Sequence, residues 1–199
     1  MGLKIGITGG IGTGKSMIAR VFKLLGVPTY DADTEAKLIM IKNEEVKKQL
    51  IKTFAEQVYF EDGSLNRAWL AERVFSDEEQ LKKLNAIVHP AVIQAAEDWA
   101  NAQTTLYSLK EAALLFESGS YRSLDYTILV VSPENLRVER VMDRDHISET
   151  EVRARMAKQM PENEKMKLAD YMIYNDSDHS IIEQVMHLHE QFSKGQIKK

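Results

Sequence analysis

Residues Gly9-Gly10-Ile11-Gly12-Thr13-Gly14-Lys15-Ser16 constrain this chain more than any other stretch, because four glycines, a lysine and two hydroxyl residues share eight positions. Glycines let a backbone curl through conformations closed to other residues. The flanks say what the curl is for. Leu3 to Thr8 is a short apolar run, and beyond the loop Ile18, Val21, Phe22 and Leu25 recur at helical spacing. Strand, glycine loop and helix in this order aim loop N–H groups and the positive end of a helix at an anion. The pattern of glycine, four residues, glycine, lysine and serine is the one that cradles a nucleoside triphosphate. Gly10, Ile11, Gly12, Thr13, Gly14, Lys15, Ser16 and Met17 are therefore expected to bind ATP. Lys15 would sit near the β and γ phosphates, and Ser16 would offer its hydroxyl to Mg2+. The bland alternative, a glycine-rich turn with an incidental lysine, does not account for the correct flanks.

The rest of the chain predicts an α/β fold: a parallel five-stranded sheet of the phosphate-loop NTPase type flanked by helices, with a helical substrate-binding insertion and a small helical lid. Gly26 suits a left-handed helix end, and Val27 to Tyr30 gives a second strand leading to Asp31 and Asp33, so a βαβ unit opens the chain. From 35 to 103 the pattern turns to charged helices, with Val46, Leu50 and Phe54 on one stripe and Leu81, Leu84, Val88 and Val92 on another. Ser76 with Glu79 forms a capping box that starts a helix, and His89-Pro90 marks a kink or break. Thr104 to Leu109 and Tyr126 to Val131 read as strands, and Ser132-Pro133 as an N-cap followed by the first residue of a helix running to about Asp145. Ser148 with Glu151 caps the next helix, Tyr171 to Tyr174 is the last strand, and Ile181 to Phe192 closes the chain. The expected divisions are core over 1–34, acceptor-binding insertion over 35–103, core over 104–142, lid over 143–168 and core over 169–199.

Composition narrows the partners. With 199 residues and 44% apolar content the chain buries one real core, and its formal net charge of −4 is wrong for coating nucleic acid. No cysteine is available for disulfides or thiolate metal sites. Apolar runs such as Ala112 to Phe116 are too short to span a membrane, and Lys4 and the nearby glycines do not suit a secretory signal. A cytoplasmic protein, monomeric or weakly homo-oligomeric, with no nucleic-acid or membrane partner, is expected.

Phosphate loops serve switches, motors and kinases alike. A GTPase would carry Asn-Lys-x-Asp and Asp-x-x-Gly segments, and neither string occurs. An ATP-driven binding module needs little more than an apolar strand ending in an acid, for which Glu117 after Leu114-Leu115-Phe116 would serve. A kinase is favoured by Asp33, placed after the second strand to orient a hydroxyl and accept its proton, and by Arg137, Arg140 and Arg144 at i, i+3 and i+7 of one helix. The competing roles are an N-cap for Asp33 or Thr34, with the helix starting near Glu35, and a solvated face for the arginines, with Glu134 and Glu139 as partners. Arg153 and Arg155 continue the basic character.

Taken together these residues resemble the dephospho-coenzyme A kinase family over nearly the whole chain. The resemblance rests on the loop from Thr8 to Ser16, Asp31-Ala32-Asp33, His89-Pro90-Ala91-Val92, Leu114-Leu115-Phe116-Glu117, Arg140 with Arg144-Asp145, Gln159-Met160, Asp170-Tyr171 and Asn175. It implies transfer of the γ-phosphoryl of ATP to the ribose 3′-hydroxyl of dephospho-coenzyme A, the last step of coenzyme A biosynthesis. It further implies Asp33 as base, Lys15 and Arg140 on the moving phosphoryl, Ser16 on Mg2+, Arg144 in the lid as a further ATP-binding residue, and Asn175 near the adenine of ATP. Thr8, Asp33, His89 and Glu117 would face the acceptor. One departure stands out: the family usually has an aspartate and a proline before Leu-Leu-Phe-Glu, where this chain reads Lys110-Glu111-Ala112-Ala113. Glu111 is the acid that would stand in. Another phosphate-loop kinase, acting on a nucleoside or nucleotide, is the nearest alternative.

Overall fold

Strand β1 (Leu3–Gly9) is the middle strand of the molecule's sheet, and its residues are buried from Ile5 onward. The structure is a computed structural model and describes residues 2–75 and 77–195. In the described residues β1 is joined by β2 (Thr29–Asp31), β3 (Tyr107–Glu111), β4 (Tyr126–Val131) and β5 (Tyr171–Tyr174) in the order β2-β3-β1-β4-β5, every pairing parallel. Such a sheet needs helices on its faces. Ile5, Ile7, Ile128, Val130 and Ile173 are fully buried against Ile18 and Phe22 of α1 (Lys15–Leu24), and against Val185, Leu188 and Phe192 of a later helix, Ile181–Lys194. Tyr107, Tyr126 and Tyr171, which open or lie at the start of β3, β4 and β5, gather around Phe192 at ring-centroid separations of 5.3–6.5 Å. The amino ends of β3, β4 and β5 are thus closed by aromatic packing. The carboxyl ends are left for chemistry, as in other open parallel sheets.

The residues up to Asp31 and those from Trp99 onward form one compact unit, and Ala32–Asp98 forms a second. The second unit begins with α2 (Ala32–Lys42), α3 (Glu44–Phe54) and α4 (Arg67–Phe75), and contains most of α5 (Glu78–Asn101). Its core is Val46, Leu50, Phe54, Val58, Leu65, Leu70 and Val74, so the predicted stripe on α3 is the buried one. Asn43 caps α3, its side chain accepting from the N–H groups of Glu45 and Val46 at 3.1 Å, a contact worth ~1 kcal/mol.

Several boundaries differ from expectation. Ser76 lies outside the described residues, and the observed cap of α5 is Asp77, whose carboxylate accepts from the N–H groups of Glu79 and Gln80. No break occurs at His89-Pro90: α5 runs unbroken through Pro90. A proline costs the helix one hydrogen bond, and here Leu81, Leu84, Ile87 and Ala91, packed against the unit's core on both sides of it, hold the helix together. The third strand lies at Tyr107–Glu111 rather than 104–109, which carries Glu111 into the sheet.

After β4 come α6 (Glu134–Asp145), α7 (Glu149–Met156) and α8 (Glu162–Leu168), and after β5 the closing α9 (Ile181–Lys194). Ser148 and Glu151 form the expected reciprocal capping box on α7. Ser132 does not cap α6; Pro133 occupies the N-cap position with ψ 138, and the Ser132 hydroxyl is engaged elsewhere. Val138, Val141 and Val152 pack α6 on α7 in a small cluster that also takes in Ile11, Ile147 and Met156.

Candidate phosphate-binding site

The loop leaves β1 at its carboxyl end, at the point where the chain order of the sheet reverses between β3 and β4. Gly12 and Gly14 have φ of 81° and 82°, in the left-handed region. A side chain at Gly12 would meet the Arg137 carbonyl oxygen at 2.5 Å, and one at Gly14 the Asn175 amide nitrogen at 2.3 Å. Sequence demands glycine there twice over. Thr13, 1% exposed, turns its hydroxyl and its N–H back onto the Gly10 carbonyl at 2.9 and 3.2 Å, so its side chain shapes the loop from within. Gly14 opens α1 with no side-chain cap and no acidic residue in the first turn. An uncapped helix start keeps its backbone donors for an incoming anion. Met17, half-exposed, is already inside the first turn. Gly14→Ala is expected to lower the thermal midpoint and weaken ATP at least tenfold, since it combines a left-handed residue, costing ~1–2 kcal/mol, with displacement of Asn175. Thermal melts and titration with a fluorescent ATP analogue read both.

Lys15 and Ser16 converge on one carboxylate oxygen. Glu111 Oε1 accepts from Lys15 Nζ at 2.7 Å and from Ser16 Oγ at 2.5 Å. Glu111 ends β3 opposite Ile7 of β1 and is almost buried, so the strand register delivers the acid to the base of the loop. The proline missing at 113 does not prevent this: Ala113 supplies a carbonyl that lies 3.4 Å from the Thr8 hydroxyl, and Thr8 is fully buried in β1.

The predicted arginine stripe divides into three different jobs. Arg140 Nη1 donates to the Ser132 hydroxyl at 2.9 Å and to the Gly12 carbonyl at 3.4 Å, while Nη2 donates to Asn175 Oδ1 at 3.4 Å. Asn175 in turn donates to the Thr13 carbonyl at 2.7 Å, and Ser132 donates to the Asn175 carbonyl at 2.7 Å. Arg140 and Asn175 therefore stand together against the loop. Arg137 is 8% exposed, and its Nε donates to the Ile11 carbonyl at 3.1 Å while Nη1 pairs with Glu162 at 3.1 Å. It supports the loop backbone. Arg144, near the end of α6, is exposed and clasps Asp145 at 2.7 and 3.0 Å, a bond that holds the Asp145 carboxyl below its usual range. Arg155 reaches the same carboxylate at 2.8 Å, and Arg153 pairs with Glu134 and Glu149.

Glu117 is occupied by Met160, just before α8, and by Lys165 within it. Its Oε1 accepts from the Met160 N–H at 3.1 Å and lies 2.7 Å from Lys165 Nζ, and Lys165 is 2% exposed. Gln159, beside Met160, accepts from the Ile11 N–H at 2.9 Å. Neither the Gln159–Ile11 bond nor the Ser132–Asn175 bond is visible in sequence periodicity, because each spans more than forty residues; the Gln159-Met160 pair belongs to the family resemblance alone.

Two candidate residues belong to the helical unit. Asp33 is the second residue of α2, exposed, two positions beyond the end of β2. The helix begins at Ala32, not near Glu35, so neither Asp33 nor Thr34 is its cap; Asp33 is an acid of the first turn. His89 is half-buried inside α5.

A family model described as dephospho-CoA kinase matches residues 3–180. A Bacteroides fragilis protein named dephospho-CoA kinase is 35% identical over 189 residues, covering 94% of this chain and 92% of the relative. Among solved structures, a Thermus thermophilus protein superposes with a TM-score of 0.84 at 36% identity, over 100% of this chain and 99% of its own. A dephospho-CoA kinase from Campylobacter jejuni superposes with a TM-score of 0.73 at 27% identity, over 98% of this chain and 100% of its own.

Proposed function

The chain belongs to the dephospho-CoA kinase family, and from that premise we propose how its residues divide the transfer of the ATP γ-phosphoryl to the ribose 3′-hydroxyl of dephospho-coenzyme A, the last step of coenzyme A biosynthesis. The observation that carries this proposal is the meeting of Lys15, Ser16 and Glu111 beneath an uncapped, glycine-shaped helix start. Backbone donors of the loop and α1 hold the β and γ phosphates, and Lys15 exchanges its carboxylate partner for them. Arg140, fixed by Ser132 and Asn175, adds positive charge where the phosphoryl departs. Asp33 orients the acceptor hydroxyl and takes its proton as the O–P bond forms and the bond to ADP breaks.

The donor set fits Mg2+. Ser16 and Glu111 are hard oxygen ligands 2.5 Å apart, and they would hold the ion directly or through water. Once bound, Mg2+ neutralises charge on the β and γ phosphates. Thr8, His89 and the helices of the second unit are assigned to the acceptor, and the segment over 143–168 to a lid that excludes water. The setting proposed is the cytoplasm, with the enzyme a monomer or weak homo-oligomer; no helix of the described residues is long and apolar enough to cross a membrane.

Acceptor-dependent ADP release tests this function. Purified protein with ATP and Mg2+ is expected to turn over dephospho-coenzyme A at least a hundredfold more efficiently than any member of a panel of nucleosides and nucleoside monophosphates. Preference for a panel member would replace the acceptor, and slow ATP hydrolysis indifferent to every acceptor would replace the reaction class.

A further inference from the structure

Ile11 is held by α6 and the segments that follow it at every group it has. Its N–H donates to Gln159 Oε1 at 2.9 Å, its carbonyl accepts from Arg137 Nε at 3.1 Å, and its side chain packs in the cluster of Val138, Val141 and Val152 that joins α6 to α7. The two side chains that take its backbone are themselves fastened. Arg137 is paired with Glu162 at the start of α8. Gln159 is adjacent to Met160, whose N–H is bound by Glu117, and Glu117 is paired with the buried Lys165 of α8. Ile11 lies in the middle of the phosphate loop, one residue before the first left-handed glycine.

We infer that Gln159 is a positioning residue for the phosphate loop: through the Ile11 N–H it ties the loop's curvature to the placement of the segment that joins α7 to α8. The reason is a matter of which way amides point. A loop that cradles phosphate works by presenting consecutive N–H groups inward, and rotation of one peptide plane disturbs its neighbours. Gln159 and Arg137 together occupy the donor and the acceptor on the two sides of Ile11, so both its peptide planes are fixed from the side of α6 and of the 159–165 segment. Movement of that segment must then reach Gly12, Thr13 and Gly14. Gln159 touches no substrate in this scheme; it acts through Ile11.

This inference rests on the phosphate-transfer function proposed above, and its test has one arm that does not. Gln159→Leu removes the acceptor while keeping the bulk. In protein without added nucleotide, hydrogen exchange by NMR is expected to show the Ile11 amide losing at least tenfold of its protection, with Gln159→Glu, which keeps an acceptor, restoring it. In kinetics, Gln159→Leu is expected to lower kcat/KM for ATP about tenfold, the scale of one hydrogen bond, while KM for dephospho-coenzyme A stays within twofold and the thermal midpoint within about 2 °C. Unchanged Ile11 protection would overturn the inference. So would a parallel loss for both substrates together with a midpoint lowered by more than about 5 °C, which would make Gln159 a general support of the fold. Wild-type indifference to dephospho-coenzyme A would instead strike the proposed function and leave the amide result standing.

Discussion

Lys15→Ala is expected to reduce kcat/KM for ATP by about a thousandfold, with loss in both kcat and nucleotide affinity. Removing one preorganised electrostatic group from a transferring centre costs 10²–10³ in rate by itself, and Lys15 also supplies ground-state binding to the phosphates. The surroundings sharpen the expectation, because Lys15 is only 12% exposed and sits 2.7 Å from Glu111 at the foot of the loop. Truncation leaves the Glu111 carboxylate with Ser16 as its remaining partner from the loop, in a place where an unpaired charge is expensive. A lower thermal midpoint should therefore accompany the kinetic loss. Lys15→Arg should restore the midpoint better than the rate, since a planar guanidinium can satisfy Glu111 but does not occupy the position of an ammonium. Steady-state kinetics in ATP at saturating acceptor, with melts of both variants, give the answer; a Lys15→Ala enzyme within tenfold of wild type would remove Lys15 from the transfer step.

What the sequence makes legible here is whatever depends on neighbours in the chain. The loop, the strands at Tyr126–Val131 and Tyr171–Tyr174, the stripe of Val46, Leu50 and Phe54, and the capping box at Ser148 all follow from spacings of eight residues or fewer, and all are present. The strand at Tyr107–Glu111 was displaced because its first predicted residues are polar, and only pairing with β1 and β2 decides where the ladder starts. Pro90 is the same case in reverse: a local rule against helix is overridden by packing on both sides of it. In the site, charge spacing on α6 was correct as geometry and silent about environment. Three arginines on one stripe reach a half-buried loop carbonyl, a polar cluster of Ser132 and Asn175, and a half-buried aspartate. Helical phase says which side chains share a face; it does not say what the face meets along its length.

That difference explains why Glu111 and Gln159 matter more than their sequence signals. Both act on the loop from more than ninety residues away, one from the end of a neighbouring strand and one from a turn between short helices. The loop motif specifies a backbone capable of holding phosphate, and these two residues set it in place from opposite parts of the chain.

Asp33→Asn is the second large effect expected: kcat lower by 10²–10⁴, the range for loss of a general base, with ATP affinity within twofold of wild type. Asparagine matches aspartate in shape and can still orient a hydroxyl, so the part removed is the ability to accept its proton. A competing role exists, because Asp33 lies in the first turn of α2, where an acid favours the helix dipole by ~0.3–1 kcal/mol. That role predicts the opposite pattern: a slightly lower thermal midpoint and nearly unchanged turnover. Measuring kcat, the affinity of a fluorescent ATP analogue and the melt on one preparation separates the two roles. Turnover within a few fold of wild type would return Asp33 to the helix and require another residue to take the proton.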